Sequence, residues 1–362
     1  TPGGVQPCAY PNRQEAALLF YHDHAMGISR LNVYAGLFGL YVLRGSEEAA
    51  LGLPRDEAEI PLVLCDRMLT RSGQLLYPVS GIPGHPWVPE VYGNAVLING
   101  KLLPYLKVEP RAYRFRLLNA ANSRFFRLSF SNRLPWRVIG CDQGLLAAPV
   151  GLPALALAPA ERSDAIVDFS RLRGSEVDLH NDIEPILRVR VGTGNAAPPD
   201  RPPARLRELA PPDPASAART RRLTLDEFVD LGANPSFMLL DSQRWSDPVT
   251  ERPKLGTSEI WELINLTDDT HPIHLHQVRF RILDRRPFDM EEFLATRKVR
   301  YLQPPRPPRP EEAGWKDTVR ATGGAVTRIL VSFEGYPGRY LWHCHVLEHE
   351  ANAMMRPYEI EP

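Results

Sequence analysis

The chain has 362 residues, with 43 acidic and 43 basic side chains and a formal net charge of zero. That balance gives no electrostatic footing for nucleic acid or an anionic membrane surface. Its longest apolar runs, such as 151–159, fall far short of the ~20 residues a membrane-spanning helix needs, and the length suffices for roughly two or three domains with buried cores.

Near the N-terminus the apolar run Leu18-Leu19-Phe20-Tyr21 leads into His22-Asp23-His24. In an extended segment alternate side chains share a face, so both imidazoles look one way and Asp23 the other; Asp23 reads as structural. Residues 44–54 read as a surface connector. Short apolar or alternating runs then recur between Pro, Gly, Asn and Asp: Ile60 to Leu64, Ala95 to Ile98, Tyr113 to Leu118, Phe125 to Phe130, Ile166 to Phe169 and Ile186 to Val191. The text between 193 and 221 is rich in Pro, Ala and Arg with few large apolar residues, and reads as a linker. Beyond it come Ile260 to Ile264, Val278 to Leu283, Ile329 to Phe333 and Arg339 to Trp342, with the Pro-rich stretch Gln303 to Pro310 as a semi-rigid surface loop. No helical period is sustained, so the spacing predicts an all-β fold of sandwiches or Greek-key barrels.

The C-terminal text His343-Cys344-His345-Val346-Leu347-Glu348-His349-Glu350, followed by Met354, carries the most chemistry. Cu(II) favours imidazole nitrogen and Cu(I) favours soft sulfur, so Cys344, His349 and a weakly bound Met354 suit a copper that cycles between the two. In a strand His343 and His345 face one way and Cys344 the other, so one segment can touch two metal sites. Of ten histidines, eight fall in three clusters: His22 and His24; His271, His274 and His276; His343, His345 and His349. His85 and His180 stand alone and read as ordinary surface or hydrogen-bonded residues. Cys8, Cys65 and Cys141 are scattered, without a paired C-x-x-C motif, and read as inert thiols.

These clusters, together with Val108-Glu109-Pro110-Arg111, Leu157 to Arg162 and Gly314 to Thr318, resemble three of the four copper signatures and the intervening text of the multicopper oxidases. The resemblance is strongest to the bacterial spore-coat laccase and bilirubin-oxidase-like branch, whose members occur in spore coats, periplasm and culture medium. It implies cupredoxin-like Greek-key β-sandwich domains: a partial first domain over 1–45, a second over 46–192, and after the 193–221 linker a third over 222–362. The family's upstream His-x-His-Gly is absent, so the resemblance implies a chain starting partway through the first domain, or else one whose missing strands another chain supplies.

Carried over by position, the type 1 copper would take His271, Cys344 and His349 with Met354 axial. One type 3 copper would take His22 and His343, the other His24, His276 and His345, and His274 would serve the type 2 copper. The type 1 set is then complete and the trinuclear set lacks two of eight histidines. Cys344, His343 and His345 would carry electrons between the sites, and Glu350 would relay protons; Glu348 reads as a solvated or outer carboxylate.

The implied activity is a laccase-like oxidation of phenols or aromatic amines coupled to dioxygen reduction, with four coppers per complete enzyme, by a monomer whose partners are a small aromatic reductant and dioxygen, with no nucleic acid and no membrane. Alternatives are a bilirubin- or phenoxazinone-type oxidase of the same family, or an electron-transfer protein holding only the type 1 copper.

Overall fold

A computed structural model describes residues 3–5, 7–83, 86–195, 202–229 and 235–362. The expected strands all form, and the chain is mostly strand with few and short helices. Leu18–His22 pairs with Phe38–Val42 as an antiparallel ribbon. The Ser29–Tyr34 helix between them is held by Arg67, whose guanidinium donates to the Val33 carbonyl (2.9 Å).

The middle of the chain forms two facing sheets. One is built around Glu59–Leu69, Ala112–Asn119, Arg162–Asp168 and Trp136–Cys141; the other runs Leu155–Leu157, Phe126–Phe130, Glu176–Asn181, Glu184–Val191 and Tyr105–Val108. Their inner faces interleave Leu64, Phe115, Leu117, Leu128, Trp136 and Phe169, all buried. Arg162–Asp168 begins four residues ahead of the expected Ile166 because Arg162, Ser163 and Asp164 are buried polar residues. Asp164 is paired with Arg114 (2.8 Å) and Arg116 (2.9 Å), which lets a charged stretch occupy the interior of a sheet.

The second sandwich packs a five-stranded sheet, Pro235–Leu240, Ala217–Val229, Thr257–Asn265, Ala325–Phe333 and Arg279–Pro287, against a four-stranded one, Thr318–Ala321, His271–Leu275, Gly338–Cys344 and Met355–Ile360. Its core gathers Trp261, Phe280, Phe333, Trp342, Cys344 and Tyr358. The expected linker ends early. Ala217–Val229 pairs in parallel with Thr257–Asn265, so residues 217–221 are strand rather than connector, and Arg221 is neutralised by Glu259 (2.9 Å). Residues 196–201 of that stretch lie outside the described residues.

A buried ion network joins the two sandwiches. Lys316 Nζ lies 2.9 Å from Asp142 and 3.2 Å from Glu161, Arg162 Nη1 donates to Asp317 (2.8 Å), and Glu312 takes Arg285 and Arg320 at 2.8 and 2.9 Å. Each charge faces an opposite one, the condition under which buried ions are tolerated. Among the described residues Cys8, Cys65 and Cys141 form no disulfide.

Candidate metal centre

The His271–Leu275 strand lies antiparallel to Gly338–Cys344, with Ile273 opposite Cys344, His274 opposite His343 and Leu275 opposite Trp342. Side chains alternate across the pleat, so Trp342 and Cys344 turn into the sandwich core while His343 turns to the other face. After the strand the Leu347–Ala351 helical turn swings His349 back over Cys344. Cys344 Sγ then lies 3.6 Å from His271 Nδ1 and 3.6 Å from His349 Nδ1, and the two nitrogens are 3.3 Å apart. Met354 is fully buried in the same core, its carbonyl accepting the Cys344 amide (3.0 Å).

His271 is set in its tautomer. The Thr267 hydroxyl donates to Asn265 Oδ1 (2.9 Å) and so accepts from His271 Nε2 (2.9 Å), leaving the Nδ1 lone pair for the Cys344 side. Burial depresses His271 to a pKa of about 4 and holds His349 well below the usual imidazole range, so both rings are neutral donors. Burial raises the Cys344 thiol, which therefore needs a bound cation to give up its proton.

Six further imidazoles converge on the opposite face. His24 Nε2 and His276 Nε2 lie 3.3 and 3.1 Å from His343 Nε2, and His345 Nε2 lies 3.3 Å from His22 Nε2. The His274 ring stands 5.0 Å from that of His276 and 5.5 Å from that of His343. In three of them Nδ1 is the anchored atom. His22 gives it to the Asp23 carbonyl (2.8 Å), His274 to the Asp317 carbonyl (2.8 Å) and His343 to the Cys344 carbonyl (2.9 Å).

In this geometry His343 and His345 stand exchanged relative to the assignment by position: His343 Nε2 lies against His24 and His276, and His345 Nε2 against His22. Register is the cause. His276 N donates to the Leu341 carbonyl and His345 N to the Pro272 carbonyl, so along the paired strands His276 and His345 lie at opposite ends with His343 diagonal to His276.

Glu350 Oε1 accepts from Ser29 Oγ (2.6 Å) and lies 3.7 Å from His24 Nδ1, while Oε2 lies 3.4 Å from His343 Nδ1. Burial pushes its pKa up to about 8. Of the two readings of Glu348, solvated or outer carboxylate, burial removes the first, since the helical turn directs it into the interface with the middle sandwich. Asp23 Oδ1 accepts from Asn32 Nδ2 (2.9 Å) and the Ala25 amide (3.1 Å), which fits a structural role. His180 sits in Glu176–Asn181 within the middle sandwich, away from both groups, and His85 lies outside the described residues. Sequence reasoning missed Thr267, Ser29, Tyr77, Asn122 and Ser123, which carry no spacing signal; each is defined only by the fold.

His22, His24, His274 and His276 border an open cleft of about 1100 Å3, whereas the Cys344 group is sealed. Both groups suit a transition metal. Imidazole nitrogens face one another at 3.1–3.3 Å, an arrangement a cation stabilises, and the one thiol sits with two Nδ1 atoms and a thioether-bearing residue.

The sequence profile of the multicopper oxidases matches residues 217–362. A laccase from Bacillus subtilis (strain 168) is 45% identical over 97% of this chain and 72% of its own length. Among solved structures, a laccase from Pediococcus acidilactici superposes with a TM-score of 0.81 at 28% identity, covering 96% of this chain and 70% of that one. The McoA multicopper oxidase from Aquifex aeolicus gives 0.80 at 29% identity, over 96% and 76%.

Proposed function

Because this chain belongs to the multicopper oxidase family, we propose that it is a laccase-like oxidase taking single electrons from phenols or aromatic amines and using four of them, with four protons, to reduce dioxygen to two waters. The observation that carries the reading is Cys344 flanked by His343 and His345, with its sulfur in one donor group and their rings in the other.

Copper, when bound, supplies one-electron redox chemistry. His271, Cys344, His349 and Met354 would hold one ion; His24, His276 and His343 a second; His22 and His345 a third; His274 a fourth. The sealed pocket around Cys344 keeps water from the thiolate, while two covalently adjacent residues give the shortest route between the groups. Glu350, within 3.4 Å of His343 Nδ1 and hydrogen-bonded to Ser29, stands where a carboxyl can hand protons toward the cleft. The same reading takes 1–45 as first-domain sequence, 46–192 as the middle cupredoxin domain, and the last domain as beginning at Ala217 instead of 222, where its first strand starts.

The test is copper loading of the full chain, followed by metal analysis, visible spectroscopy and oxygen uptake with a phenol. Four coppers, a thiolate-to-copper absorption and oxygen consumption are expected. One copper with the visible band but no oxygen uptake would mark an electron-transfer protein instead, and a colourless loaded protein would end the copper reading.

A further inference from the structure

Three consecutive side chains of the Leu347–Ala351 turn go to three different places. His349 joins Cys344, and Glu350 reaches Ser29 and the His24 and His343 rings. Glu348 turns into the middle sandwich, where Tyr77 OH (2.8 Å) and Asn122 Nδ2 (2.8 Å) donate to Oε1 and Ser123 Oγ (2.9 Å) donates to Oε2. Asn122 closes the junction from both ends. Its Nδ2 also donates to the Arg30 carbonyl (3.0 Å), and its own carbonyl accepts the Leu347 amide (3.0 Å). Arg30 in turn donates to Tyr77 OH (3.1 Å).

Glu348 is 0% exposed, and among the described residues no lysine or arginine pairs with it directly. Burying a carboxylate on neutral donors is costly unless every lone pair is served. A single helical turn also lacks the length to hold itself, so its position comes from tertiary bonds. None of the residues grouped above as metal donors lies in the middle sandwich, yet this sandwich supplies all three donors to Glu348.

We propose that Glu348 is a positioning residue: Tyr77, Asn122 and Ser123 grip it to fix the turn, and so fix the His349 ring against Cys344. This assigns the middle sandwich a part in building the metal site, and it rests on His349 being a copper ligand.

The experiment uses the copper-loaded full chain and follows decay of the visible thiolate band under a chelator. Glu348→Leu should release copper at least ~10-fold faster, the order expected when a group supporting a ligand is lost. Glu348→Gln keeps an acceptor for Asn122 and Tyr77 and should restore release to within about twofold of the unsubstituted chain. Tyr77→Phe, which removes one donor and should fold even if Glu348→Leu does not, should fall between. Unchanged release in Glu348→Leu or in Tyr77→Phe overturns the proposal. So does equal acceleration in Glu312→Gln, remote from the turn, because general loosening would then account for it. A missing visible band in the unsubstituted chain would instead strike the copper reading itself.

Discussion

Replacing Glu312 with Gln tests whether the buried ion network is a stabilising device. Burial alone would raise the Glu312 carboxyl, but the Arg320 and Arg285 guanidinium groups outweigh it and hold the pKa at about 2, against an ordinary value of 4.5. At ~1.36 kcal/mol per tenfold change in proton affinity, that displacement is worth about 3 kcal/mol. That figure agrees with the roughly 3–5 kcal/mol lost when one partner of a buried pair is removed. Because the folded-state value is the lower one, the contribution is complete above about pH 5.5, and it fades as pH falls through 4.5 toward 2. By pH 3 about 2 of the 3 kcal/mol should be gone. Urea unfolding of the unsubstituted and Glu312→Gln chains should therefore show a gap of about 3 kcal/mol at pH 7 that narrows to about 1 at pH 3. A gap that stays constant across this range would refute the assignment of the stabilisation to an ionised Glu312.

Met354→Leu should raise the reduction potential of the Cys344 copper, since a weak thioether donor would be lost; an electrochemical titration that finds it unmoved removes Met354 from the ligand set. Thr267→Val should weaken copper binding at that site by about 10-fold, because His271 loses the acceptor that fixes its tautomer, and competition with a chelator reads the change. Glu350→Gln should slow oxygen uptake by on the order of 10²-fold, the lower range for a lost acid or base, while leaving the visible band in place. Unaltered turnover would exclude Glu350 from proton transfer.

The strands around Ala95–Ile98, Ala112–Asn119 and Glu184–Val191 were legible because their apolar residues recur with the right length and turn residues bound them. Arg162–Asp164 and Ala217–Arg221 were not, since a charged strand reads as loop until its counter-ions appear from elsewhere in the chain. The site divides the same way. Three histidine clusters and Cys344 were visible as text, but the partnership of His343 with His276 rather than His345 depends on strand register, which composition does not encode. For Glu348 the text left solvated and outer carboxylate undecided, because its donors, Tyr77, Asn122 and Ser123, are far away in sequence.

The face alternation at the end of Gly338–Cys344 has a consequence for how this segment can vary. Exchanging Leu341 for another apolar residue perturbs packing locally, whereas inserting or deleting one residue ahead of Trp342 would invert the whole tail. The sulfur would then stand among the cleft imidazoles and two rings would be forced into a greasy interior. Spacing in this strand is thus far less negotiable than spelling.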